Sequence, residues 1–400
     1  LLHDKAQVFP LSDEDHVRTR LTHSIETASI GRSLGAIAGV GICEKLSEES
    51  RIRPNHIGEI VAAASLAHDI GNPPFGHSGE MAIGSYFSEG KGLSLRGILG
   101  DRLWCDLSHF EGNANAFRLL THHFKGRRKG GYALTYSTLA SIVKYPYEST
   151  LAGSKGKFGF FVSEEEHYKK VATELGILNK SDGNGTKYCR HPLVYLVEAA
   201  DDICYQMMDI EDAYKLKILT REETISLLTP FIEEHKRGHL TEVLGMVTDH
   251  NEQIAYLRSK VIGILIDECA DAFMCHEEEI LNGTFSEPLV KYTSERCRQA
   301  YKHCSEVAVK KIYRSRDVLD IELAGFRIIN TLIELMVDAA IKPDNAYSRL
   351  LIDRVSSQYD LHAPTLYGKV QAVFDYISGM TDVFALDLYR KINGNSLPAV

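Results

Sequence analysis

The chain has 400 residues, of which 44% are hydrophobic and 25% charged, and a formal net charge of −9. That composition is ordinary for a globular protein with a core of normal size, and the negative balance argues against binding nucleic acid over the whole surface. No apolar run approaches the roughly 18–20 residues needed to cross a bilayer. The sequence opens Leu1-Leu2-His3-Asp4, without an initiator methionine or a signal-peptide pattern, so it is expected to start inside a longer product. The eight cysteines form no C-x-x-C pair. They read as scattered, mostly buried thiols of a reducing compartment, and a cytoplasmic location is expected.

The first period is helical: Leu21, Ile25, Ala28, Ile30, Leu34 and Ile37 predict a helix over Arg18–Ala38. A second covers Ile57–Ile70 and stops at Gly71-Asn72-Pro73-Pro74. Ser78–Phe87, Asn113–His122, Glu164–Leu175, Leu193–Tyr214 and Glu252–Met274 follow. Pro288–Ile312, Val318–Ile341, Tyr347–Val355 and Leu366–Asn393, broken near Gly379, complete the set. Phe158–Val162 is the one strand-like run. Glu89–Asp106, Lys125–Gly131 and Lys180–Lys187 read as loops from their Gly, charge and Asn/Asp/Ser content. The fold class is therefore all-α. No sustained heptad supports a coiled coil, and no internal repeat is visible.

Polar residues interrupt two of these apolar helices. His68-Asp69 ends Ala64-Ser65-Leu66-Ala67, and Asp201 sits in Glu198-Ala199-Ala200-Asp201-Asp202-Ile203. Such groups are costly to bury unless something bonds them. A divalent metal satisfies both types of donor, and imidazole with carboxylate suits Mn, Fe, Ni or Zn better than Mg. His23 on the first helix could join them, leaving coordination positions open for water and a phosphate oxygen. A His-Asp pair in a helix also occurs by chance, and His23 alone reads more often as an ordinary surface or N-terminal-turn histidine. His77 and Glu80, three apart at a helix start, share a face and could form an acid/base pair. Alternatively, Ser78 caps that helix and Glu80 suits its dipole. Asp201, Tyr205 and Asp209 recur every fourth residue and lie along one helix face.

The order His…His-Asp…Asp on successive helices resembles the HD phosphohydrolases. The longer words narrow this. Arg18-Thr19-Arg20-Leu21-Thr22-His23-Ser24, then His68-Asp69-Ile70-Gly71-Asn72-Pro73-Pro74-Phe75-Gly76-His77-Ser78-Gly79-Glu80, then Phe110-Glu111-Gly112-Asn113-Ala114-Asn115 all resemble the bacterial deoxyguanosine triphosphate triphosphohydrolases. So do Glu198-Ala199-Ala200-Asp201-Asp202-Ile203-Cys204-Tyr205 and Asp375-Tyr376-Ile377-Ser378-Gly379-Met380-Thr381-Asp382. Asn115 departs from the glutamine more usual at its position.

The resemblance implies an HD-domain helical fold with additional C-terminal helices, as a single unit over 1–400. Its metal-binding core would span 15–215, and 216–400 would complete the pocket and make oligomer contacts. It implies His23, His68, Asp69 and Asp201 as ligands of a divalent ion (Mn, Mg, Ni or Fe) and His77 and Glu80 as the catalytic pair at the α-phosphate. Gln7, Tyr205 and Asp209 would meet the sugar. Lys144, Tyr145 and Lys157 would lie near the phosphates, and Asn113 near the catalytic centre. Arg18 and Arg20 are further candidates for phosphate contact, and Glu322 and Arg349 for the base. The reaction implied is hydrolysis of a dNTP, dGTP above all, to deoxynucleoside and tripolyphosphate. The partner implied is a homo-oligomer, often a hexamer; the basic Lys125–Lys129 stretch leaves open a nucleotide or single-stranded DNA effector. Another HD nucleotidase or phosphodiesterase, and a nucleic-acid-regulated nucleotide-binding protein, are the competing readings.

Overall fold

The computed structural model describes residues 2–3, 5–9, 18–47, 50–127 and 129–396. Helix α1 (Arg20–Glu44) starts where the Thr19 hydroxyl accepts from the Thr22 amide. It lies unusually close to α2 (Pro54–Ala67), and the reason is a ladder of glycines. A β-carbon on Gly31 would stand 2.5 Å from Ser65 Oγ, one on Gly35 2.8 Å from Gly58 Cα, and one on Gly39 2.8 Å from Pro54 O. The close approach sets His23 on α1 opposite His68, which caps the C-terminal end of α2.

After the Pro-Pro turn comes α3 (Gly76–Ser88). Next are the short α4 (Arg96–Leu99) and α5 (Asp101–Ser108), then α6 (Gly112–Thr121), α7 (Tyr136–Ile142) and α8 (Glu165–Glu174). The long α9 (Val194–Lys215) is buried along most of its length. It packs on α1, α2 and α12 (His250–Cys275), reached through α10 (Arg221–Leu228) and α11 (Glu234–Met246). Beyond α13 (Glu277–Leu281) and α14 (Glu295–Val307), helices α15 (Arg316–Ile341), α16 (Ala346–Arg354), α17 (Leu366–Ser378) and α18 (Asp382–Ile392) fold back toward the N-terminal half.

Two apolar clusters result. The first joins α1, α2 and α9 to α12, with Leu34, Val61, Ile203 and Leu265 fully buried. The second joins α3 and α5 to α15 and α17, with Ile83, Leu107, Ile329 and Phe374 fully buried. Both clusters cross residue 215, so each half of the chain completes its core with helices of the other. A buried ion group reinforces the second. Arg118 on α6 donates Nε and Nη2 to the two oxygens of Asp375, 2.7 Å each, and Nη1 to Glu164 at 2.6 Å.

The all-α expectation holds: among the described residues the only β features are isolated bridges. Phe158–Val162 is no strand. Phe160 and Phe161 are both buried, which breaks the alternation a strand needs, and Gly159 alone bonds to Tyr147 O. Glu89–Asp106 is no loop. Leu95, Leu99, Leu103 and Leu107 recur every four residues and all pack on the second cluster, from a 3-10 turn and helices α4 and α5. Its glycines masked that period. The Gly379 break stands, between α17 and α18. Five cysteines are buried and all eight are free thiols. Among the described residues no helix is long and apolar enough to cross a membrane.

Candidate active site

The close packing of α1 and α2 and the neighbouring α9 bring four side chains to one point. His23 Nε2 lies 3.0 Å from Asp201 Oδ1. His68 Nε2 lies 3.4 Å from the same oxygen and 3.6 Å from Asp69 Oδ1. The two imidazoles meet edge to face, centroids 5.5 Å apart. Donor atoms of His23, His68 and Asp69 lie within 4.8 Å of one another.

Neighbours fix each donor. The His68 Nδ1–H donates to Ser65 O at 2.6 Å, which turns Nε2 toward the cluster. Asp69 is held by Arg20 Nη1 at 2.9 Å and by Asn72 Nδ2 at 2.6 Å. His68 Nε2 is buried with no hydrogen-bond partner. Burial works against a charged His68, but Asp69 and Asp201 outweigh it and raise its pKa to about 9. For Asp201, burial is likewise opposed by His68 and His23, which hold its pKa well below the usual carboxylate range. A spot that stabilises positive charge and leaves an imidazole nitrogen unpartnered fits a divalent cation, and the N/O donor set fits Mn, Fe or Ni.

Two cavities meet at this cluster, sharing Arg20, Asp69, His77 and Asp201 in their walls. The first, of about 300 Å³, is lined by His68, Glu80, Glu111, Asn113, Lys144, Tyr145 and Lys157 among others. His77 Nδ1 stands 3.1 Å from Glu80 Oε2, while Glu80 Oε1 accepts from the Gly112 amide at 2.8 Å. The bond to Glu80 raises the His77 pKa. Burial alone would raise that of Glu80, yet His77, Lys157 and the Gly112 amide depress it. Lys157 donates to Glu111 Oε1 at 2.6 Å and lies 3.6 Å from Glu80. Glu111, buried and facing Glu80, is pushed up. Asn113 donates to Glu111 at 3.0 Å. Lys144 pairs with Glu198 at 2.9 Å, and Arg190 holds the other Glu198 oxygen at 2.5 Å.

The second cavity, of about 470 Å³, is lined by Gln7, Tyr205, Tyr313, Ile321 and Glu322 among others. Tyr205 and Tyr313 stack with centroids 5.7 Å apart and planes 20° apart. Gln7 Oε1 is buried and unpartnered. Asp209 lies one turn beyond Tyr205, outside both cavity walls. It accepts from the Tyr313 hydroxyl at 2.8 Å, and burial raises its pKa to about 8.

Most of the sequence candidates therefore converge. Arg20 reaches the centre because Gly76 leaves room: a β-carbon there would stand 2.5 Å from Arg20 Nη2. Arg18, Arg349 and Asp209 do not converge: Asp209 lines neither cavity and accepts from the Tyr313 hydroxyl instead. Arg18 is spent bridging α1 to α9, bonding Glu26 at 2.7 Å, Glu211 at 2.6 Å and Asp212. Arg349 is exposed on α16 and lines neither cavity. Sequence reasoning passed over Asn72, Glu111, Arg190, Glu198 and Tyr313. Asn72, Glu111 and Glu198 stood inside motifs already singled out; Arg190 and Tyr313 carried no pattern signal.

An all-helical chain with His, His-Asp and Asp donors meeting from three helices defines an HD-type hydrolase. Sequence comparison agrees: the HD domain profile matches residues 20–145 and that of the phosphohydrolase-associated domain residues 290–391. A deoxyguanosinetriphosphate triphosphohydrolase-like protein of Synechocystis sp. is 37% identical over 410 residues, 99% of this chain and 90% of that one. One of Pseudomonas aeruginosa is 35% identical over 404 residues with the same coverage. The deoxyguanosinetriphosphate triphosphohydrolase of Yersinia enterocolitica is 29% identical over 475 residues, 98% of this chain and 90% of that one. The chain belongs to this deoxyguanosinetriphosphate triphosphohydrolase-like family of HD proteins.

Proposed function

We propose that the chain hydrolyses a deoxynucleoside triphosphate, dGTP first, at the α-phosphorus, releasing deoxynucleoside and inorganic tripolyphosphate. The carrying observation is the meeting of two unlike cavities at the His/Asp cluster. One is lined with Lys144, Lys157, Arg20 and the His77–Glu80 pair, the other with stacked tyrosines and an unpartnered amide oxygen. A nucleoside triphosphate has the same division, and its α-phosphate lies at the junction.

His23, His68, Asp69 and Asp201 would hold a divalent cation, which when bound supplies Lewis-acid activation of water and phosphoryl oxygen. Lys144, Lys157 and Arg20 neutralise the triphosphate. Lys157 does so by exchanging Glu111 for a phosphate oxygen. Asn72 and Arg20 keep Asp69 oriented. With Nδ1 engaged by Glu80, the free Nε2 of His77 carries the proton that the departing 5′-oxygen takes up when its bond to phosphorus breaks. Glu80 keeps that imidazole protonated. Tyr205 packs against the sugar and leaves no room for a 2′-hydroxyl, while Gln7 and the Asp209-held Tyr313 supply polar contacts.

The test is a product assay with each dNTP and rNTP in Mn²⁺ or Mg²⁺, resolving tripolyphosphate from pyrophosphate and phosphate. Tripolyphosphate from dNTPs is expected. Pyrophosphate and a nucleoside monophosphate would place the cut one bond further along and refute the reading.

A further inference from the structure

The C-terminal motif Asp375–Asp382 lines neither cavity at the cluster, yet it reaches the parts that do. Asp382, at the start of α18, is buried and spends both carboxylate oxygens on backbone amides of distant segments. Its Oδ1 accepts from Phe75 N at 2.9 Å and its Oδ2 from Ala6 N at 2.8 Å. Phe75 stands immediately before α3 in a left-handed conformation, φ 60° and ψ 18°, which a residue with a β-carbon adopts only when its surroundings impose it. One residue after Ala6 comes Gln7, in the wall of the second cavity.

Lys5 doubles the fastening. It is fully buried, and its ammonium donates to Asn72 O at 2.7 Å and Ser378 O at 2.8 Å. Lys5 O accepts from Arg20 N at 3.0 Å. From the other side, Ser78 Oγ donates to Glu322 O at 2.6 Å. A buried ammonium between two carbonyls is costly to place. Here it ties the N-terminal strap (residues 5–9), the turn at residues 72–76 and the α17–α18 junction to one another.

We propose that Asp382, with Lys5, is a positioning residue that sets the strap and the turn as one unit, so that Gln7 and the His77–Glu80 pair hold a fixed spacing across the substrate cavities. This rests on the dNTP-hydrolase reading for its kinetic consequence, though not for the fastening itself. Helices α17 and α18 thereby become part of the active site without lining it.

Asp382→Asn tests it, because the amide keeps one acceptor and turns an NH₂ toward the other backbone N–H. Lys5→Met fills the same buried volume and opens the fastening independently. Hydrogen exchange on the full chain is read first. In both variants, peptides covering residues 2–9 and 72–80 should lose protection together, while those of α2 and α9 keep it. Wild-type exchange in either segment overturns the proposal. Kinetics follow: kcat/KM for dGTP should fall about tenfold in Asp382→Asn, as misplacement of reacting groups predicts. Gln7→Ala should then cost less in the Asp382→Asn background than in the wild type, since one acts through the other. An unchanged kcat/KM, or effects that multiply independently, would mean a merely structural contact. If the wild-type chain hydrolyses no dNTP, the functional reading falls, and the exchange comparison alone upholds or overturns the fastening.

Discussion

Replacing Lys157 with methionine removes a charge while keeping most of the stem. In the free protein its ammonium donates to Glu111 at 2.6 Å and faces Glu80 at 3.6 Å. Glu111 is buried, and its carboxyl is already pushed up by burial and by Glu80. Loss of the cation removes one of the groups that hold the Glu111 carboxyl down, so Glu111 is pushed up further. The cost to folding is that of one charge-assisted hydrogen bond, about 1.5–3 kcal/mol. In the proposed reaction the same ammonium would meet phosphate oxygens whose negative charge grows as water adds. Losing it should raise the barrier by about 1–3 kcal/mol, a fall in kcat/KM of roughly 5- to 150-fold. Lys157→Arg should restore part of it. The assay is steady-state hydrolysis of dGTP with product ions separated, run beside a thermal melt of each variant. A lower melting temperature with kcat/KM within about twofold of wild type would refute the argument. Lys157 would then be a strut for two glutamates and no phosphate ligand.

His68→Ala and Asp69→Ala should each lose bound metal and activity while the helical circular-dichroism signal survives; full metal occupancy in both would sink the ligand assignment. Tyr205→Ala should lower the ratio of kcat/KM for dGTP over GTP, and an unchanged ratio removes the proposed sugar gate. The His77–Glu80 pair predicts a pH effect. Glu80 raises the His77 pKa, so the protonated acid persists above the usual histidine range and activity falls as pH rises through that raised value. Glu80→Gln should move this alkaline limb to lower pH in the kcat profile, and a limb that stays in place would show that some other group is titrating.

Polar residues that stood out against apolar helices marked only part of the site. His68-Asp69 and Asp201 break runs that are otherwise core, but that pattern also arises by chance, and it was the resemblance of the longer words that joined them with His23 as one ligand set. The glycine ladder of α1 that presses His23 onto His68 was present in the sequence too, but its meaning depends on which helix lies opposite. The same limit hid Tyr313. Its stacking on Tyr205 and its bond to Asp209 join α9 to the segment just before α15, a pairing no local pattern encodes. Arg18 sits beside the motif residues in sequence, but Glu26, Glu211 and Asp212 satisfy it away from the cavities. Phe158–Val162 misled because its aromatic content suits a strand, whereas both faces of the segment are buried without a partner strand.

The account's central claim is that water adds to the α-phosphorus and the bond to the 5′-oxygen breaks. Hydrolysis of dGTP in ¹⁸O-labelled water, with mass analysis of both products, tests it directly. One labelled oxygen should appear on the α-derived terminal phosphoryl group of tripolyphosphate, with none in the deoxyguanosine. Label in the 5′-hydroxyl of the nucleoside, or pyrophosphate as the main product, would contradict the account.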